Sequence, residues 1–323
     1  MFKQQKFLKF LALGLAMTAG LAQAQSYPNR PVKIVVPFAA GGPADNYARF
    51  MAQRLTEELK QSFVIDNKPG AGSIIGTDLA AKSPADGYTL LMMSNTHTVN
   101  ESLIPSKPFA LMRDFVGIAP INYSALLLVA HPSVPVKNVA ELVALAKSRP
   151  GKINYASSGN GTPYHMAGEL FKFMAGIDMT HVPYKGSSGA RTDIVGGQVD
   201  VMFDAETTMA TLSREGKVRA LASTGLTRSS NLPDLATVHE SSVPRFEASI
   251  WLGLMAPKGT PADVVNRLNA EVRKIVNNPD VRAAWAKQGA VPMSMTVPEF
   301  DQYLNADIAR WANIVKVSGA KPD

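Results

Sequence analysis

Short unbroken apolar runs alternate along this chain with stretches in which apolar residues recur every three or four positions. The run VKIVVPF (32–38) has the continuous apolar character of a strand buried on both faces. YTLLMMS (88–94), LLLVAH (126–131), VDVMFD (199–204), RALAST (219–224) and WLGLMAP (251–257) read the same way. Between them the period changes. Val264, Val265, Leu268, Val272, Ile275 and Val276 share one stripe of a helix, and Phe300, Leu304, Ile308, Trp311 and Val315 share another. Strand and helix alternating in this way predict an α/β architecture with mostly parallel sheets flanked by helices. The pattern contains no internal repeat and no low-complexity linker.

In open α/β sheets ligands bind outside the carboxyl ends of the strands, so the loops that follow the apolar runs are the informative ones. The first, PFAAGGPAD (37–45), joins a strand to a helix whose stripe begins at Tyr47, Phe50, Met51 and Leu55. Pro43 suits the first helical position, where a missing N–H costs nothing. Gly41 and Gly42 let the backbone approach a ligand closely, and the free N–H groups of the helix start would face it: an anion site made of backbone. A plain tight turn with a glycine cap fits the same residues. SSGNGTP (157–163) repeats the device between a strand-like INYASS and a helix-like YHMAGELFKFM, with hydroxyls at Ser158 and Thr162. Capping is the alternative there. SNTHTVN (94–100), which brings in Ser94 and Asn95, PYKGSSGAR (183–191) and FDAETTM (203–209) complete the set.

The amino terminus carries a further signal. Lys3, Lys6 and Lys9 precede the apolar stretch 10–21, and Ala22-Gln23-Ala24 supplies small residues for cleavage. This reads as a secretory signal peptide over 1–24, cut after Ala24, with export to the periplasm; the stretch is short for a membrane span of about 20 residues. The chain has no cysteine, which excludes disulfides, thiolate metal sites and a cysteine nucleophile. The formal charge is +7, and loss of the three leader lysines leaves 30 basic against 26 acidic residues, or +4, with no basic block. Nucleic acid is therefore not an expected partner, whereas a mild positive field suits small anions. The five histidines form no metal spacing, no G-x-S-x-G elbow occurs, and the glycines of GAGSIIG (70–76) miss the dinucleotide spacing by one place. No cofactor, metal or catalytic residue is expected.

The segments VPFAAGGPADNYAR, VIDNKPGAGSIIGTDLAAKSPADGYTLLM, KPGKINYASSGNGTPYHMAGELF, HVPYKGSSGARTDIVGGQVDVMFD, KVRALASTG and APKGTPADVVNRLNAEV resemble, in order, the tripartite tricarboxylate transporter substrate-binding family, also called Bug proteins. The resemblance implies a type II-like, two-lobed periplasmic-binding-protein fold with the ligand cleft between the lobes. Lobe 1 would be discontinuous, 25–123 with 248–323, and lobe 2 would be 124–247. It implies capture of a small carboxylate, as a monomer, for a membrane permease of one large and one small subunit, with a sensor kinase as another partner of some members. A glycine-rich corner from each lobe would grip the carboxylate: Phe38, Gly41, Gly42 and Asp45 from one, Ser158, Gly159, Gly161 and Thr162 from the other.

The sequence departs from the usual family pattern before the glycine pair, at GAGS, and after the Phe203-Asp204 pair. Asp204, Glu206 and Thr207 are thus candidate selectivity residues. Phe38, Tyr164, Tyr184 and Phe203 either line a cleft for an aromatic acid or pack the lobes. A receptor returns its ligand intact; the alternative, a periplasmic hydrolase or isomerase, would need a nucleophile and base that the sequence does not display.

Overall fold

A computed structural model describes residues 27–322. The signal-peptide assignment lies outside the described residues. Among the described residues ten strands make one curled sheet: β1 (Val32–Val36), β2 (Phe63–Asn67), β3 (Thr89–Ser94), β4 (Phe115–Ala130), β5 (Asn154–Ser157), β6 (Thr180–Pro183), β7 (Val201–Ala205), β8 (Arg219–Ser223), β9 (Ser249–Pro257) and β10 (Ala290–Pro292). The helices are α1 (Pro43–Leu59), α2 (Ile74–Ala81), α3 (Asn95–Leu103), α4 (Leu111–Asp114), α5 (Val139–Ser148), α6 (Pro163–Ala175), α7 (Ser187–Val195), α8 (Glu206–Arg214), α9 (Val238–Ser241), α10 (Ala262–Asn277), α11 (Pro279–Ala286) and α12 (Val297–Ser318). Among the described residues no helix is long and apolar enough to cross a membrane.

The strand order β2-β1-β3-β9-β4-β7-β5-β6 places a parallel group at each end, β2-β1-β3 and β7-β5-β6. Between them β9 and β4 pair antiparallel with their neighbours, so the sheet is mixed rather than parallel throughout. The reason lies in β4. Its first part pairs with β9 as far as Ala125 opposite Ser249, and from Leu126 its partners are β7 and β8. A strand that serves both halves of the sheet must run across the junction, and the chain returns through β9 in the opposite direction. Register shifts near Gly117 and Pro120 bend β4 as it goes.

The helices form where the apolar stripe and the end signals agree. Tyr47, Ala48, Met51, Ala52 and Leu55 of α1 are buried against the sheet. The helix stops at Lys60 in the left-handed region. Thr296 and Glu299 form a capping box at the start of α12. One apolar cluster runs from Val32, Ile34 and Leu90 through Leu126 and Leu128 to Tyr155 and Phe203, linking both halves of the sheet. This rigid frame aims the loops after β1, β3, β5 and β6 at one place.

Candidate functional site

The corner after β1 is braced from behind. Gly41 adopts φ +79°, a conformation that favours glycine, and its N–H donates to Asp45 Oδ2 at 2.9 Å. Arg49 Nε donates to the same oxygen at 3.0 Å, and Asn67 Nδ2 donates to Asp45 Oδ1 at 3.0 Å and to the Phe38 carbonyl at 3.2 Å. Burial pushes the Asp45 carboxyl up, but these bonds outweigh it and hold it below the usual carboxylate range. Asp45 is therefore the corner's anchor. Gly42 caps α1 with φ −83° and no side-chain cap, which leaves the N–H groups of Ala44 and Asp45 without intrahelical partners.

The corner after β5 is braced by a ring stack. Thr162 Oγ1 donates to the Gly159 carbonyl at 2.7 Å and accepts from the His165 N–H. The Gly161 N–H donates to His165 Nδ1, and the Gly159 N–H donates to Ser157 Oγ. His181 stacks on His165 at 4.2 Å and on Tyr155 at 4.8 Å, and its Nε2 meets Ser157 Oγ at 2.6 Å. The two histidines thus shape the loop from below.

After β3, Ser94 caps α3, its Oγ accepting from the Thr96 N–H, while its own N–H donates to His97 Nδ1. Nδ1 also lies 3.0 Å from the Ser94 carbonyl, and Nε2 lies 3.0 Å from Thr77 Oγ1. Burial pushes the His97 imidazole down to about 4. Its ring meets Phe38 edge to face at 6.3 Å. After β6, Gly186 caps α7 without a side-chain bond, and Ser187 follows at the first helical position.

These four corners meet. Phe38, Gly42 and Ala44 from the first, Ser94 and Thr96 from α3, Ser158 and Tyr164 at α6 and Ser187 of α7 line a narrow pocket closed on one side by Ile250. Four helix amino termini converge on it, and no lining side chain carries a charge. Each terminus presents roughly half a positive charge, so the site favours an anion without a lysine or arginine in contact. Tyr164 is 2% exposed, and its burial, with the Asp204 carboxylate nearby, raises its phenol well above the usual range. Just behind lies an ion pair: Arg191 Nε donates to Asp204 Oδ2 at 2.5 Å and Arg191 Nη2 to Oδ1 at 3.2 Å. The halves touch beside the pocket. Ser188 Oγ donates to the Ala40 carbonyl, and Arg191 Nη1 to the Gly41 carbonyl at 3.2 Å.

Of the residues singled out in the sequence, Phe38, Gly42, Ser94, Ser158 and Tyr164 line this pocket, whereas Phe203 is packed in the core. Gly159 and Tyr184 line an adjoining one that shares Phe38 and Ser158 with it. Gly41, Asp45, Gly161 and Thr162 support the corners from outside the lining. Asn95 is turned away: its amide donates to the Ser249 carbonyl and accepts from the Trp251 N–H on β9. Asp204 is spent on Arg191 and its neighbouring Ala205 N–H. Glu206 bonds Ser229 on another face, and Thr207 lines a separate groove. Thr96, Ser187 and Ile250 were not singled out; Ser187 lies in the PYKGSSGAR loop, where a second serine beside a glycine cap was the available signal. Among the described residues, no cluster of three histidine, aspartate or glutamate side chains comes together to hold a metal.

A family model described as the tripartite tricarboxylate transporter family receptor matches residues 47–320. The chain is similar to a solved structure of R. palustris Rpa4515 with adipate, at 35% identity and a TM-score of 0.89, over 92% of this chain and 100% of that one. It is similar to the periplasmic binding protein BugD, at 35% identity and a TM-score of 0.87, over 92% and 100%. It is also similar to MatC from Rhodopseudomonas palustris with bound malate, at 32% identity and a TM-score of 0.85, covering 90% of this chain and 100% of MatC.

Proposed function

The chain belongs to the tripartite tricarboxylate transporter receptor family, whose members are periplasmic solute-binding proteins rather than enzymes, and from that premise we propose that it captures a small carboxylate and delivers it to membrane permease subunits. The carrying observation is the convergence of four helix amino termini on a pocket with no charged side chain in its lining. One carboxylate would sit there, held by backbone N–H groups and by the hydroxyls of Thr96, Ser158, Tyr164 and Ser187, with Ser94 positioning Thr96 by donating to its Oγ1 at 2.9 Å. Adipate and malate in the two R. palustris proteins support this class of ligand. On this reading the two sheet halves are the lobes, 25–123 with 248–323 and 124–247, because β4 changes partners between Ala125 and Leu126. Ligand draws them together, and the leader directs the chain to the periplasm.

A thermal scan with mono-, di- and tricarboxylates and aromatic acids, run in chelator, tests the proposal. A true ligand at a hundredfold excess over its Kd adds about 2.7 kcal/mol of stability. We expect a few acids to raise the Tm with chelator making no difference. Stabilisation by none of them would overturn the carboxylate reading.

A further inference from the structure

Two carboxylates flank the pocket, one from each half of the sheet, and each is occupied by an arginine. Asp45 takes Arg49, the Gly41 N–H and Asn67. Asp204, fully buried, takes Arg191 through both oxygens and the Ala205 N–H. Asp193, the next nearest on α7, accepts from the Tyr184 hydroxyl. Lys185 in the adjoining pocket adds a cation. A ligand entering between them meets helix amino termini and neutral hydroxyls, but no free anion.

Building on the carboxylate reading above, we infer that the pocket selects carboxylic acids that lack a free amino group, and that Arg191 enforces this by occupying Asp204. An ammonium group taken out of water needs a counter-charge or several good acceptors. Here it would face the positive ends of four helices instead. Arg191 is a specificity residue acting through Asp204. Without it, Asp204 becomes a bare carboxylate beside the pocket residue Tyr164, whose phenol its charge reaches.

The test uses pairs that differ at one position: malate against aspartate, adipate against 2-aminoadipate, and 3-phenylpropanoate against phenylalanine. Calorimetry gives the Kd ratio within each pair for the full chain, for Arg191→Met, and for Arg191→Met with Asp204→Asn. Arg191 also bonds the Gly41 carbonyl, but that contact affects both members of a pair alike and cancels in the ratio. We expect the amine-free member to bind at least tenfold more tightly in the native chain. The ratio should fall at least tenfold in Arg191→Met and return in the double variant, which is neutral again and guards against a folding defect of the single one. Equal or tighter binding of the amino members by the native chain overturns the inference alone, as does an unchanged ratio in a folded Arg191→Met. Binding of neither member of any pair removes the carboxylate reading and the inference together.

Discussion

The Ser188 hydroxyl donates a 2.6 Å hydrogen bond to the carbonyl of Ala40, a residue 148 positions earlier and on the other half of the sheet. With the Arg191 bond to the neighbouring Gly41 carbonyl, it ties the two halves together beside the pocket, and on the proposed closure these bonds belong to the closed state. Ser188→Ala removes one such bond, worth about 0.5–1.5 kcal/mol. The closed state should lose that much and the core nothing, since Ser188 is not packed in it. Calorimetry should show about two- to tenfold weaker ligand binding, and the ligand-free Tm should stay in place. A lowered ligand-free Tm with unchanged affinity would mean that the contact braces the fold instead of closing the cleft.

His97 governs stability in mildly acidic solution. Its imidazole is pushed down to about 4 by burial, against about 6.5 in an unfolded chain. Between those values the unfolded state holds a proton that the folded state refuses, so stability is complete above pH 6.5 and falls as the pH drops towards 4. At about 1.4 kcal/mol per unit the loss is on the order of 3 kcal/mol. The imidazole resonances of His97 should remain those of the neutral ring at pH 5. A His97→Asn variant should show a flatter dependence of Tm on pH between 4 and 6.5; an identical slope would take the effect away from this residue.

Asp45 acts in a lower window. Its carboxyl is held below the usual range, so its contribution is fully present above the unfolded value of about 3.9 and disappears as the pH falls through its lowered folded value. Asp45→Asn should therefore be less stable than the native chain at neutral pH, and the two melting curves should converge at the acid end. Because both Asp45 oxygens serve the corner and not the pocket, ligand preference should be retained. A changed preference would place Asp45 in direct contact with the ligand.

Much of the architecture was legible because strand and helix announce themselves locally. Runs such as 32–38 and 88–94 became β1 and β3, and the stripe from Val264 to Val276 became α10. The first half of β4 was not seen, because FVGIAPINYS (115–124) mixes glycine, proline and polar residues that only its bends and its junction role explain. At the site, the corners were legible as Gly-rich turns before helices. What their side chains do was not. Whether Asn95 faces the pocket or β9, and whether Asp204 is free or bound to Arg191, depends on partners far along the chain or on a helix register that a linear pattern does not specify. Of the charged residues suggested by the sequence, Asp45 and Asp204 serve arginines and Glu206 serves Ser229, each supplying the partners that a buried carboxylate needs.

Gly42 offers the sharpest separation of binding from folding. Its φ of −83° is open to any residue, and an added Cβ would lie 3.7 Å from the Ala39 carbonyl and 3.9 Å from Ser187 Oγ, ordinary contact distances. Valine at this position is therefore tolerated by the backbone, and its two methyl groups extend into the space between Gly42 and Ser187, both of which line the pocket. Gly41, next to it, is different: its φ of +79° strains any other residue, and its Cβ would press on Ser188 Oγ at 3.2 Å. Gly42→Val should keep the native Tm within the range of a surface substitution, about 0.5 kcal/mol, and weaken ligand binding by at least a hundredfold. Gly41→Val should lose about 1–3 kcal/mol of stability as well as binding. Melting curves and calorimetry on the two variants side by side decide the matter. Full affinity in Gly42→Val would mean that the ligand does not sit where the four helices meet.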